Sequence, residues 1–278
     1  PRGLDDTAHF VAGGDVVVRG NVFPNADQDV YSFQAPANSR VYAAVMGAWS
    51  ANSSNDADLD ILGPDGTTVL ETDDFNGSLG SLSPAIAGTQ LAFAGTYFAK
   101  VRHFSATNQQ RPYDFHFRLQ SGAPAAEVEP NDMAPQALPA NGWIAGTISG
   151  ANDVDIYSIN LNAGDTIFAA LDMDPTRDGT EFNGALSVGP FAGTFLQVND
   201  AGTTGPDAEA IFVTVKTAGA YGIAVTGAAA GDYGLSVSPT YLQELQRMAA
   251  TAILPRRDAV VLTRWQMILF AAGIVAAS

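Results

Sequence analysis

One short phrase occurs twice in this chain, and the second occurrence brings its surroundings with it. Asp27-Gln28-Asp29-Val30-Tyr31-Ser32-Phe33 returns 126 residues later as Asp153-Val154-Asp155-Ile156-Tyr157-Ser158-Ile159. The same spacing of 126 relates Leu59-Asp60-Ile61-Leu62-Gly63-Pro64 to Ala185-Leu186-Ser187-Val188-Gly189-Pro190, and Asp73-Asp74 to Asn199-Asp200. It narrows to 124 between Gly95-Thr96-Tyr97 and Gly219-Ala220-Tyr221, and to 120 between Tyr113-Asp114-Phe115 and Tyr233-Gly234-Leu235, as short loop deletions would produce. Self-similarity sustained over this length reads as a tandem duplication, so the chain is expected to build one unit twice.

The 278 residues then divide into an N-terminal extension (1–12), a first domain (13–120), a linker (121–126), a second domain (127–238) and a tail (239–278). Copies of about 110 residues can bury a core of their own. With no cysteine in the chain, disulfides, thiolate nucleophiles and Cys-ligated zinc are excluded.

Up to about residue 238 the pattern is that of strands. Asp15 to Gly20, Val30 to Gln34, Arg40 to Val45, Thr68 to Glu71, Thr96 to Arg102 and Tyr113 to Leu119 are rich in Val, Tyr, Phe and Thr, and several alternate apolar with polar residues. Tyr113, Phe115, Phe117 and Leu119 fall on one face, with Asp114, His116 and Arg118 on the other, which places His116 toward solvent. Gly63-Pro64-Asp65-Gly66, Asn76-Gly77 and Ala163-Gly164-Asp165 are turn signals at the spacing of an antiparallel sandwich. Ser121 to Ala126 reads as a short linker, and Pro130 makes the following Glu127-Val128-Glu129-Pro130-Asn131-Asp132 segment extended.

The E-x-E-P-N-D opening at 127–132, the D-x-D-x-Y-S strands, the G-P-D-G turn, the Asp73-Asp74 pair and the closing tyrosine strands resemble the bacterial pre-peptidase C-terminal domain. The chain is similar in outline to the collagen-binding modules of clostridial collagenases. The resemblance spans about residues 13–238 and implies an all-β fold, two tandem jelly-roll-like antiparallel β-sandwich domains. It further implies an accessory role beside secreted enzymes or on a cell surface, without catalysis.

By the same resemblance, a calcium site is expected where the opening segment meets the tyrosine strand. The matching positions are Glu127, Glu129, Asn131, Asp132, Asn152, Asp153 and Asp155, which offer carboxylate and amide oxygens for the six to eight ligands that calcium takes. The first domain keeps Asp27 and Asp29, but its opening, Leu4-Asp5-Asp6-Thr7, lacks the E-x-E-P-N phrase. A second acidic group, Asp56, Asp58 and Asp60 with Asp73 and Asp74, is confined to the first copy and reads as solvated turn acids.

Catalytic motifs are missing from the sequence. His9, His103 and His116 form no H-E-x-x-H zinc signature, and neither a G-x-S-x-G elbow nor a P-loop is present. The formal charge of −16, with only Lys100 and Lys216 as lysines, repels phosphate backbones and excludes a nucleic-acid partner.

After Ser238 the composition changes. Thr240 and Gln243 stand as helix cap and capping-box residue, and Tyr241, Leu245, Met248 and Ile253 share a helical face that needs a partner. Beyond Pro255, an apolar run containing Trp265, Ile268 and Phe270 is interrupted by Arg264 and falls near the lower length limit of a membrane span. Three fates stay open for this helical tail: a membrane or sorting anchor, a helix between subunits of an assembly, or packing against the second sandwich. The residues together describe a non-catalytic bacterial protein, extracellular or on the cell surface. It would serve adhesion or extracellular assembly, stiffened by the calcium that the resemblance implies, with a homo-oligomer, a surface partner, an extracellular matrix or a polysaccharide as partner. The alternative is the accessory region of a secreted hydrolase, such as a protease, whose catalytic domain is outside this chain.

Overall fold

The computed structural model describes residues 7–10, 15–47, 56–74, 82–198 and 208–238. These are strands and turns throughout, arranged as four sheets. The first sheet runs β1 (Thr7–Phe10), β3 (Gln28–Ala35), β8 (Gly95–His103), β5 (Ala57–Leu62) and β6 (Val69–Asp73). Facing it are β2 (Asp15–Val22), β9 (Gln110–Gln120), β4 (Ser39–Met46) and β7 (Ala85–Leu91).

The second half repeats this order. One sheet is β11 (Gln136–Ala137), β13 (Val154–Leu161), β18 (Gly219–Gly227), β15 (Gly184–Pro190) and β16 (Leu196–Val198). The other is β10 (Ala125–Ala126), β12 (Trp143–Ile148), β19 (Gly231–Ser238), β14 (Thr166–Asp172) and β17 (Ala208–Thr214). The all-β sandwich architecture expected from the alternating strands is therefore present. One departure from pure antiparallel pairing is that β1, β10 and β11 are short strands added in parallel to β3, β12 and β13.

Three apolar layers hold the four sheets. Tyr31, Phe33, Val41, Val45, Leu59, Ile61, Phe115 and Phe117 lie among the residues filling the first sandwich. Ile144, Tyr157, Ile167, Leu171, Leu186, Ile223 and Leu235 belong to the layer filling the second. A third layer of Tyr42, Ala44, Ala85, Ala87, Trp143, Phe168, Ala170, Ala208 and Ala210 lies between the sandwiches. Its existence explains why β14 is buried at every position and β4 at all but its second and last. A strand covered on both faces is apolar without alternation, and Val41-Tyr42-Ala43-Ala44-Val45 and Ile167-Phe168-Ala169-Ala170-Leu171 are runs of that kind.

This layer corrects the placement of His116. It is fully buried, its ring 5.4 Å from Phe168 and 4.4 Å from Phe212, because the outer face of β9 is covered by the second sandwich. Burial pushes its pKa down to about 3, so the imidazole is neutral. The acids expected as solvated turn residues also differ. Asp58 and Asp60 lie on β5, are almost fully buried, and pair across the strand with Arg102 and Lys100, the latter at 2.6 Å.

Within each sandwich, two tyrosine hydroxyls meet across the sheets: Tyr31 with Tyr113, and Tyr157 with Tyr233. Each closing tyrosine lies over a glycine of the neighbouring strand, where a Cβ on Gly20 or Gly146 would overlap the ring of Tyr113 or Tyr233. Among the described residues no helix is long and apolar enough to cross a membrane. The tail residues Tyr241, Leu245, Met248, Ile253, Trp265, Ile268 and Phe270 lie outside the described residues.

Because the Gly20 contact is with a fully buried ring, Gly20→Ala is expected to destabilise by about 1–3 kcal/mol through overpacking. Gly150→Ala, where an added Cβ meets nothing within 4 Å, is the matched control. Thermal melting of both variants checks this; equal melting temperatures would contradict the tyrosine–glycine constraint.

Candidate metal centre

The second sandwich gathers its acids where its opening segment, residues 127–132, meets the start of β13. Glu127 is tied in by its own amide, which donates to Ala145 O at 3.0 Å, and its Oε2 accepts from the Thr147 amide at 2.8 Å. Its Oε1 accepts from Asn131 Nδ2 at 2.9 Å and meets the hydroxyls of Tyr157 at 3.1 Å and Tyr233 at 3.2 Å. The Tyr233 hydroxyl also donates to Asp155 Oδ2 at 2.7 Å. Two phenolic protons thus face four close contacts: two to Glu127, one to Asp155 and one between the rings. A hydroxyl has only one proton to give, so this cluster is rich in acceptors and short of donors.

Asp155 makes the shortage acute. Its side chain is fully buried and its Oδ1 has no hydrogen-bond donor. An uncompensated buried carboxylate is expensive, and the usual answers are a proton or a cation. Burial, together with the Glu127 carboxyl beside it and the charge of Asp153, pushes its pKa up to about 8.

The remaining acids converge on the same residue. One carboxylate oxygen from each of Glu127, Glu129 and Asp155 lies within 4.8 Å of the others, and Asp132, Asp153 and Asp155 meet the same condition. Oxygens bound to one calcium at about 2.3–2.6 Å are separated by no more than about 5 Å, so either triad fits a single ion, with Asp155 common to both. Asp153 is set by its turn, where Oδ2 accepts from the Ser149 amide at 2.5 Å, and this bond holds its pKa below the usual value. Asp132 Oδ1 accepts from the Val154 amide at 3.1 Å.

Asn131 is fully buried and acts as a staple. Its amide donates to Glu129 Oε2 at 2.7 Å, and its side-chain oxygen accepts from the Ile156 amide at 3.3 Å. Asn152 is an exposed residue of the turn before β13.

The first sandwich carries the same knot without the added acids. Tyr113 donates to Asp29 Oδ2 at 2.5 Å, and the Phe23 amide donates to Asp27 Oδ2 at 3.0 Å as Ser149 does to Asp153. Among the described residues no three-acid group forms there. Sequence reading missed Tyr233, Thr147 and Gly146 as parts of this site; the paired spacing of 120 between Tyr113 and Tyr233 was the available signal.

Elsewhere, titratable groups are spent on structure. His103 Nδ1 accepts from the Ser105 amide at 2.8 Å, Asp73 Oδ2 accepts from the Ala85 amide at 2.6 Å, and burial raises the Asp58 pKa to about 6 against the pull of Arg102.

No protein-family model matches the chain, and no curated protein matches it either. Solved structures similar to part of it include a periplasmic inhibitor of g-type lysozyme from Aeromonas hydrophila, with 17% identity, 42% of this chain and 99% of that chain covered, and a TM-score of 0.31. The pre-peptidase C-terminal domain of the Bacillus anthracis collagenase matches at 8% identity over 43% of this chain and 100% of its own, with a TM-score of 0.32. A tandem CBM22 pair from Paenibacillus barcinonensis Xyn10C matches at 12% identity over 75% of this chain and 82% of its own, with a TM-score of 0.22.

The raised Asp155 pKa fixes a pH dependence. Without a cation the folded state keeps this proton up to about pH 8, whereas the unfolded chain loses it near its ordinary value of 3.8. Between those values the folded state holds more protons, so this group's stabilising contribution is full below the lower value and falls as pH rises toward the upper one. Calcium is therefore expected to raise the melting temperature more at pH 8 than at pH 5, and Asp155→Asn is expected to remove that response. Identical melting with calcium and with chelator at pH 8 would contradict the site.

Proposed function

We propose that the chain is a non-catalytic extracellular or cell-surface protein whose work is adhesion or assembly. In this reading two sandwich modules, residues 13–120 and 127–238, are joined by the linker 121–126, and calcium stiffens the point where that linker meets the second module. The observation that carries it is the buried, donor-starved Asp155 at the junction of linker and strand, surrounded by Glu127, Glu129, Asp132 and Asp153. A cation there would tie the opening segment to β12 and β13 through Glu127 and Asn131, which already bond to Thr147 and Ile156. Such a centre adds rigidity and needs no substrate cleft.

Two further features support a mechanical role. His103 and His116 serve a turn and an apolar layer, and Asp58 and Asp60 are consumed in cross-strand ion pairs. The acidic, lysine-poor composition suits an exposed, soluble surface. Residues 239–278 then supply anchoring or self-association, with Tyr241, Leu245, Met248, Ile253, Trp265, Ile268 and Phe270 as the contact residues.

Removal of residues 239–278 tests the assembly role. The full chain is expected to form oligomers or to bind lipid vesicles, and the truncated chain to be a soluble monomer by light scattering. Oligomers undiminished by the truncation would overturn the role given to the tail.

A further inference from the structure

The layer between the sandwiches is made from the same face of both. Its walls are β2-β9-β4-β7 on one side and β12-β19-β14-β17 on the other, which occupy equivalent positions in the two strand orders. Residues 126 apart meet in it: Tyr42 and Phe168, Ala44 and Ala170, and Val17 and Trp143 all contribute. The contacts are reciprocal. Tyr42 reaches from β4 onto the opposite sheet, where its hydroxyl accepts from Trp143 Nε1 at 2.9 Å and lies 3.3 Å from where a Gly234 Cβ would stand. Phe168 reaches from β14 the other way and stacks on His116 of β9.

Around this apolar centre runs a polar rim, with each sandwich sending an arginine across. Arg118 of the first donates to Asn141 O at 2.5 Å, and Gln120 beside it donates to Ser236 Oγ at 3.0 Å. Arg177 of the second donates to Ala87 O at 2.6 Å and lies 3.7 Å from Glu71, while its other guanidinium nitrogen pairs with Asp172 at 2.6 Å. Asp172 in turn faces Arg40 of the first sandwich at 3.7 Å, over Gly88, where a Cβ would collide with the Asp172 carboxylate. Ser238 Oγ bonds Asp15.

An apolar centre of aromatic and small residues inside a polar, arginine-bearing rim is the anatomy of an interface between separate proteins. Use of one face by both partners is what a twofold, isologous dimer requires.

We propose that the two sandwiches are partners in a permanent, dimer-like interface, which holds them in one orientation without help from the covalent linker. The linker brings the partners together during folding, and the interface then fixes their orientation. The chain then behaves as one rigid body with two non-equivalent ends.

The test is to cut the linker of the folded protein. Ser121, Gly122 and Ala123 are exposed, and an added Cβ at Gly122 meets nothing within 4 Å, so a specific protease sequence is inserted after Gly122 in the full chain. After complete cleavage the halves are expected to co-elute in size-exclusion chromatography at the volume of the uncut protein. Elution as two separate species would overturn the proposal. The same cleavage on an Ala44→Arg chain, which puts a charge in the centre of the layer, is expected to release the halves. If those halves also stay together, the association does not run through this face and the proposal fails.

Discussion

A carboxylate buried at the base of a β-sandwich has to be met by donors or by positive charge, and this requirement organises both halves of the molecule. In the first sandwich Tyr113 meets Asp29, Tyr31 braces Tyr113, and Gly20 leaves room for the ring. In the second, Tyr233 meets Asp155 over Gly146, but the opening segment adds Glu127 to the same hydroxyls. A knot that is balanced with one acid has an excess of acceptors with two. The acidic cluster that could hold a cation thus arises from an addition to a structural motif that both sandwiches already possess, and the opening segment of the second sandwich is what brings it.

The joint between the sandwiches follows from a different pressure. β4 and β14 have apolar residues on both faces, and a single sandwich can cover only one of them. Stacking the two sandwiches buries the exposed face of each against the other. The alanines at 44, 85, 87, 170, 208 and 210 let the backbones approach while Tyr42, Trp143 and Phe168 fill the gaps. The cost falls on the polar groups at the margin. Burial raises the pKa of Asp172 and of Glu71, and the neighbouring Arg177 and Arg40 offset it.

The sequence made much of the sandwich fold legible because strand alternation and turn residues act locally. Tyr113, Phe115 and Phe117 announced a core face, and they form one. Alternation places His116 toward solvent because it reports only that two faces differ, and a second sandwich covering the outer face leaves the period unchanged. The apolar runs at 41–45 and 167–171 carried that information instead. Asp58 and Asp60 escape the pattern for a related reason: their partners Arg102 and Lys100 are 44 and 40 residues away along the chain and opposite them only in the sheet. At the candidate site, the acids were visible as a motif, whereas the donor shortage became visible only once Tyr157, Tyr233 and Glu127 were placed together.

The central claim is that the Asp155 cluster holds a divalent cation, and the most direct measurement is a crystallographic anomalous difference map from crystals grown with calcium or manganese. The account predicts one peak with Asp155 as a ligand, joined by Glu127 and Glu129 or by Asp132 and Asp153, with oxygens at roughly 2.3–2.6 Å for calcium. A map without a peak there, and with Asp155 present as a carboxylic acid donating to Glu127, would contradict it.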